Sequence, residues 1–292
     1  MKAAAIGLAL AVIAGQHTTA FAAEEEIAVV AAENFYGDIV RQIGGDRVAV
    51  VSIMNNPDQD PHLFETTPAT VRQIAGAQIV VFNGANYDPW MEKLLAATPR
   101  SNRTAINVGQ LMGRKPGDNP HLWYDPATMP AVATAIADAL SRADSAHASG
   151  YAARLDATLA SLSRITRRVA QLKTKHAGTA VSATEPVFGP MADALGLVMR
   201  NQRFQLAMMN DTEPSARDVA AFERDLKDRK VKVLIYNSQV SEKLTERLRD
   251  IAAKSRIPVV GVTETMPANT TFQDWLLGEL DAMDKALSEP NS

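Results

Sequence analysis

At 292 residues, 46% apolar and 22% charged, the chain is long enough for two domains with real cores and too apolar to be disordered. Its formal charge of −3 offers no basic groove for a nucleic acid, and there is no acidic tail. It contains no cysteine, which excludes disulfides and thiolate metal ligands.

The first residues are not read as fold. Met1-Lys2 is a short basic start, residues 3–14 are apolar, and Ala20-Phe21-Ala22 places small residues at the spacing a signal peptidase accepts. The apolar run is too short to span a bilayer, and no other stretch is long and apolar enough for a membrane helix. The expectation is a signal peptide over 1–22, cleavage near Ala23 and export to the periplasm. His17 falls in this leader and is excluded from any site. Without cysteine there is no residue for a lipid anchor, so a free periplasmic monomer is expected, with no membrane insertion.

Residues 27–32 read as a strand. Asn34 is placed to cap a helix whose apolar face is Phe35, Ile39, Val40 and Ile43, stopped at Gly44-Gly45. A second strand follows over 48–53. Thr67-Pro68 opens a helix to about Gly76, 79–82 is a strand, and Asp88-Pro89 repeats the cap-plus-proline signal before a helix over 90–97. Residues 106–108 end another short strand. From 127 to about 176 no strand signal appears. After a weak break at 144–150, Tyr151, Leu155, Leu159, Leu162, Ile165, Val169 and Leu172 recur at steps of three and four, which predicts one long amphipathic helix.

Alternation then resumes. Strands are expected at 180–183, 233–236 and 259–262. Helices are expected at 188–195, from a Ser215 cap to about Asp228, at 241–254, and from Phe272 to Leu287. The fold class is α/β: two lobes, each with a mostly parallel sheet flanked by helices, bridged by one long rigid helix. The division is an N-terminal lobe over 23–143, a linker helix over 144–177 and a C-terminal lobe over 178–292.

Two segments echo each other: Asp60-Pro61-His62-Leu63-Phe64 and Asn119-Pro120-His121-Leu122-Trp123. Each fixes a histidine between proline and leucine, in a loop after a predicted strand. Only five histidines occur in the chain, so two in near-identical pentapeptides argue against chance. Ligand sites of open α/β sheets lie beyond the carboxyl ends of the strands. The second lobe offers Glu185 after the 180–183 strand and Glu264 after the 259–262 strand, although either alone is as well explained as a charge at a helix N-terminus. Two imidazoles and two carboxylates make a complete four-ligand set for a divalent metal of intermediate hardness.

Other candidates carry less. Glu213 repeats the Thr-Glu-Pro triplet of Glu185 but follows no strand and leads into the Ser215 cap. His147 and His176 lie in charged helical sequence and are expected to be solvated. Met208-Met209 reads as packing. Asn237, after the 233–236 strand, is placed to donate to a ligand carboxylate.

At these residues the sequence resembles the zinc- and manganese-binding receptors of bacterial ABC importers. The resemblance covers the whole mature chain and rests on Asp60-Pro61-His62, residues 119–123, Thr184-Glu185 with Phe188, Glu213-Pro214-Ser215 and Val262-Thr263-Glu264. It implies two lobes bridged by one long helix, a cargo ion held between them by His62, His121, Glu185 and Glu264, and delivery to an inner-membrane ABC permease. Glu185 falls where manganese-type members have glutamate and zinc-type members usually have histidine. Glu264 falls where aspartate is usual, a departure from the pattern. The histidine-rich loop common in zinc receptors is missing, since 109–118 is short and holds no histidine. Nitrogen and oxygen ligation suits Zn(II), Mn(II) and Fe(II) alike.

The rival functions are a zinc-dependent hydrolase, a surface adhesin and a receptor for an organic solute. A hydrolase needs an open metal position and a nearby general base, whereas a fourth protein ligand closes the site. No His-Glu-x-x-His helix and no nucleophilic serine motif occurs, so no enzymatic activity is expected. An adhesin wants an exposed aromatic patch, and aromatics are only 5% and mostly at core spacings. An organic solute wants several aromatics and an arginine in the cleft.

Overall fold

The computed structural model describes residues 26–56, 64–115, 117–210, 212–240 and 242–290. The proposed signal peptide and His62 lie outside these residues.

The first half runs β1 (Ile27–Glu33), α1 (Asn34–Gly44), β2 (Val48–Met54), α2 (Pro68–Gly76), β3 (Ile79–Phe82), α3 (Pro89–Ala97), β4 (Thr104–Asn107), the single turn α4 (Val108–Leu111) and α5 (Thr128–Ala143). The long α6 spans Ala148–His176. The second half runs β5 (Ala180–Ala183), α7 (Gly189–Ala194), β6 (Val198–Arg200), α8 (Gln202–Met209), α9 (Ala216–Lys227), β7 (Leu234–Asn237), α10 (Lys243–Lys254), β8 (Val259–Val262) and α11 (Phe272–Ser288).

Each half holds a four-stranded sheet, ordered β2-β1-β3-β4 and β6-β5-β7-β8, and every pairing is parallel. The sequence of the central strands explains this. Ile79–Phe82 is buried at all four positions, and all of β1 except Ala28 is buried. A strand that is apolar on both faces has to be covered by helices on both, which is what β-α-β crossovers supply. The strand order reverses between β1 and β3 in the first sheet and between β5 and β7 in the second. The crevice beyond the carboxyl ends at these switch points is where side chains from neighbouring loops converge.

The apolar face of α6, with Tyr151, Leu162, Ile165, Val169 and Leu172, joins one core that reaches into both halves. Aromatic rings from both halves meet in it. Phe35 lies 4.8 Å from Trp123 and 5.9 Å from Trp275, and Tyr124 lies 5.4 Å from Phe188, measured between ring centroids.

Several expectations change. The long helix begins at Ala148 and absorbs Gly150. β6 and α8 were not anticipated. The Thr67 and Ser215 caps form, each side-chain oxygen accepting the N–H three residues on. Asn34 is not a cap: α1 starts at Asn34 itself and has no side-chain cap, because the Asn34 amide is engaged across the molecule with Met266. Asp88 makes no cap bond either, since its carboxylate accepts the N–H groups of Asn83 and Gly84, each at 2.7 Å. His176 is buried, not solvated, with Nε2 2.8 Å from Asp284. It continues the apolar face of α6, four residues after Leu172. Met208 packs partly buried against the second-half core as expected, and Glu213 is exposed ahead of the Ser215 cap.

Candidate metal centre

His121 comes from the loop after α4 and is 1% exposed. Pro120 stiffens the approach, and Asn119 fixes the ring. The Asn119 amide has one orientation: its Nδ2 donates to the Pro186 carbonyl at 2.7 Å, and its Oδ1 accepts the His121 N–H at 3.0 Å. The same Oδ1 lies 2.7 Å from His121 Nδ1. An oxygen that already accepts can only accept again, so Nδ1 carries a proton and Nε2 is the ring nitrogen turned toward the site. That Nε2 makes no hydrogen bond, yet it is buried 3.5 Å from Glu264 Oε2.

Glu264 follows β8 and is 0% exposed; Glu185 follows β5 and is 7% exposed. Asn237, the last residue of β7, holds the two carboxylates together. Its Nδ2 donates to Glu264 Oε1 at 2.6 Å and to Glu185 Oε2 at 3.1 Å. Its Oδ1 accepts the Gln239 N–H at 3.0 Å, which sets this amide's orientation too. Gln239 returns to the site, its Oε1 accepting the backbone N–H groups of both Glu264 and Thr265. The donor role expected of Asn237 is thus present.

Three of the four predicted ligand residues are therefore brought together across the two halves. His121 and Glu264 face each other, and Asn237 joins Glu264 to Glu185. His62 lies outside the described residues. Among the described residues, no three His, Cys, Asp or Glu side chains gather closely enough to hold an ion by themselves. Two acidic side chains and an imidazole nitrogen turned toward them, all largely withdrawn from water, offer nitrogen and oxygen donors to a cation.

The surroundings are aromatic and acidic. Tyr87 and Trp123 stand edge-on to the His121 ring at 6.0 and 5.4 Å. Burial, then the Glu264 charge, hold the Tyr87 phenol well above its ordinary range. Behind it lie Glu33 and Asp88. Burial and the Asp88 charge push the Glu33 carboxyl well up; burial brings Asp88 to about 7 against the pull of the backbone N–H groups of Gly84, Asn83 and Asp88 itself. Asn83 ties this layer to the site, its Nδ2 donating to the Pro120 carbonyl at 2.8 Å. Nothing in the sequence marks these layers except that Asn119 sits inside the repeated histidine motif and Gln239 follows Asn237 by two residues.

Fold and site together define a two-lobed α/β protein in which buried polar side chains from both parallel-sheet halves meet. The family model described as "Zinc-uptake complex component A periplasmic" (ZnuA) matches residues 29–286, and the chain belongs to this family. Among curated relatives, it is 28% identical over 169 residues to the metal ABC transporter substrate-binding lipoprotein ScbA of Streptococcus cristatus, covering 53% of this chain and 54% of that protein. It is 25% identical over 146 residues to the manganese-binding lipoprotein MntA of Halalkalibacterium halodurans, covering 48% of each. The chain thus spans about half the length of these relatives. Its fold matches the structure of the periplasmic zinc-binding protein TroA of Treponema pallidum with a TM-score of 0.77, at 20% identity, over 90% of this chain and all of that one.

Proposed function

We propose that the protein is a periplasmic receptor of a metal-ion ABC importer, which captures one divalent transition metal between its lobes and hands it to an inner-membrane permease. The ligands are His62, His121, Glu185 and Glu264, and the ion is cargo. The observation that carries this reading is the buried Nε2 of His121 facing the Glu264 carboxylate at 3.5 Å, with Glu185 joined to the same carboxylate through Asn237. Membership of the family and the metals named for its relatives point the same way.

The protein is exported by cleavage after about residue 22 and acts as a monomer, with lobes over 23–143 and 178–292 joined by 144–177. No helix among the described residues is long and apolar enough to cross a membrane. Four protein ligands leave no open position for an attacking water, which sets a receptor apart from a hydrolase. The cargo is Zn(II) or Mn(II), and the all-N/O donor set suits Fe(II) as well. Zinc outcompetes manganese at almost any such site, so affinity alone does not name the physiological ion.

Calorimetric titration of metal-stripped protein tests the site. The expected result is one ion per chain for both zinc and manganese, and for His121→Ala a loss of affinity of about 100-fold or more with the far-ultraviolet spectrum unchanged. Undiminished 1:1 binding by the folded variant would contradict the assignment.

A further inference from the structure

On α1, three polar residues at steps of four share one face: Asn34, Asp38 and Gln42. All three reach the segment that runs from Glu264 into α11, more than 230 residues away. The Asn34 amide takes both backbone groups of Met266, Nδ2 donating to its carbonyl at 2.6 Å and Oδ1 accepting its N–H at 3.0 Å. Asp38 Oδ2 accepts the N–H of Phe272 at 2.9 Å, one of the donors that the first turn of α11 leaves without an intrahelical partner. Gln42 and Gln273 exchange amide hydrogen bonds at 2.8 and 3.0 Å, and Gln42 also donates to Asp38.

We propose that this ridge is a latch between the lobes, and that Asn34 within it is a positioning residue for Glu264. The second half of the proposal rests on the reading of Glu264 as a metal ligand. Three consecutive backbone N–H groups fix the ligand's segment. Those of Glu264 and Thr265 go to Gln239 in the second half, and that of Met266 goes to Asn34 in the first. A movement of one lobe against the other cannot keep all three, so the place of the Glu264 carboxylate is tied to lobe closure. The Asn34–Met266 bonds are out of reach of water, with Asn34 at 7% exposure, so a partner lost there is not replaced by solvent, whereas Asp38 and Gln42 are half-buried. Local helix chemistry does not account for Asn34: an asparagine at this point would ordinarily serve as a cap, and this one does not.

Hydrogen–deuterium exchange and zinc calorimetry on the purified protein test the two halves of the proposal separately. In metal-free protein, Asn34→Ala raises exchange across 264–273 by about tenfold or more, with β1 and β5 unchanged. The same variant loses about 10- to 100-fold in zinc affinity. Asn34→Asp, which keeps the acceptor for the Met266 N–H, recovers part of both. Should Asn34→Ala fail to fold, Gln42→Ala breaks the far end of the ridge and raises exchange at 271–273. Unchanged exchange over 264–273 would overturn the latch. Raised exchange with unchanged zinc affinity would overturn the positioning role. If the unaltered protein bound no zinc, the ligand reading and the positioning role would fall together, while exchange would still decide the latch.

Discussion

At the scale of single residues, two amides hold the site. Asn119 and Asn237 each have one orientation imposed by backbone groups, so the proton on His121 and the approach of Glu185 to Glu264 follow from the surrounding chain. Beneath the site, Glu279 has its carboxylate withdrawn from water although part of its stem is exposed. Its Oε1 accepts from Tyr124, Trp275 and the Thr263 N–H. Burial still wins and brings Glu279 to about 8, against an ordinary value of 4.5. Below about pH 4.5 the carboxyl is protonated in both folded and unfolded chains. As pH rises from there to about 8, only the unfolded chain ionises freely, so stability is lost across that window and then levels off. Glu279→Gln removes this loss. Denaturant unfolding at pH 5 should show little difference between variant and parent, while at pH 9 the variant should be more stable by on the order of 3 kcal/mol. Parallel stability curves would mean that Glu279 is not held protonated.

At the scale of elements, α6 is fastened to both halves. Arg154 donates to the carbonyls of Ile43 and Gly44 at the end of α1, groups the helix itself cannot satisfy. At the other end Arg168, Lys175 and His176 converge on Asp281 and Asp284 of α11. The hydrogen bond with His176, then that with Lys175, hold the Asp284 carboxyl far below the usual carboxylate range. A depressed carboxyl stabilises the fold above its unfolded value near 3.8 and ceases to as pH falls through its folded one. Asp284→Asn should therefore cost about 1–2 kcal/mol at pH 7, discounted for the exposed Lys175, and progressively less below pH 4. A cost that does not shrink in acid would assign the loss to packing.

This level of structure was largely legible in the sequence. The strands at 79–82, 180–183 and 259–262 fall where the apolar runs place them, and the stepped pattern after Tyr151 marks α6. β6 escaped because three residues carry no usable period. Asn34 and Asp88 are not caps because other backbone groups compete for the same side chains, distant ones at Asn34 and those of the preceding turn at Asp88. His176 could have been recognised, since it extends the steps of Val169 and Leu172; the charges around it concealed this.

At the scale of the molecule, the two sheets share one strand order, and Glu185, Asn237 and Glu264 lie at or just beyond the carboxyl ends of the second. His121 and Glu264 came from motif and strand-end position alone, and the structure brings them face to face. The Glu33–Asp88 layer and the α1 ridge were hidden, because the sequence does not say which residues meet across 50 or 230 positions. The most direct test is an anomalous difference map from crystals of the zinc-loaded protein, recorded at the zinc edge. The expected map has a single strong peak between the lobes, about 2.0–2.2 Å from His121 Nε2 and from carboxylate oxygens of Glu185 and Glu264, with His62 completing the set. A map with no peak between the lobes, or a peak held by other residues, would contradict the assignment.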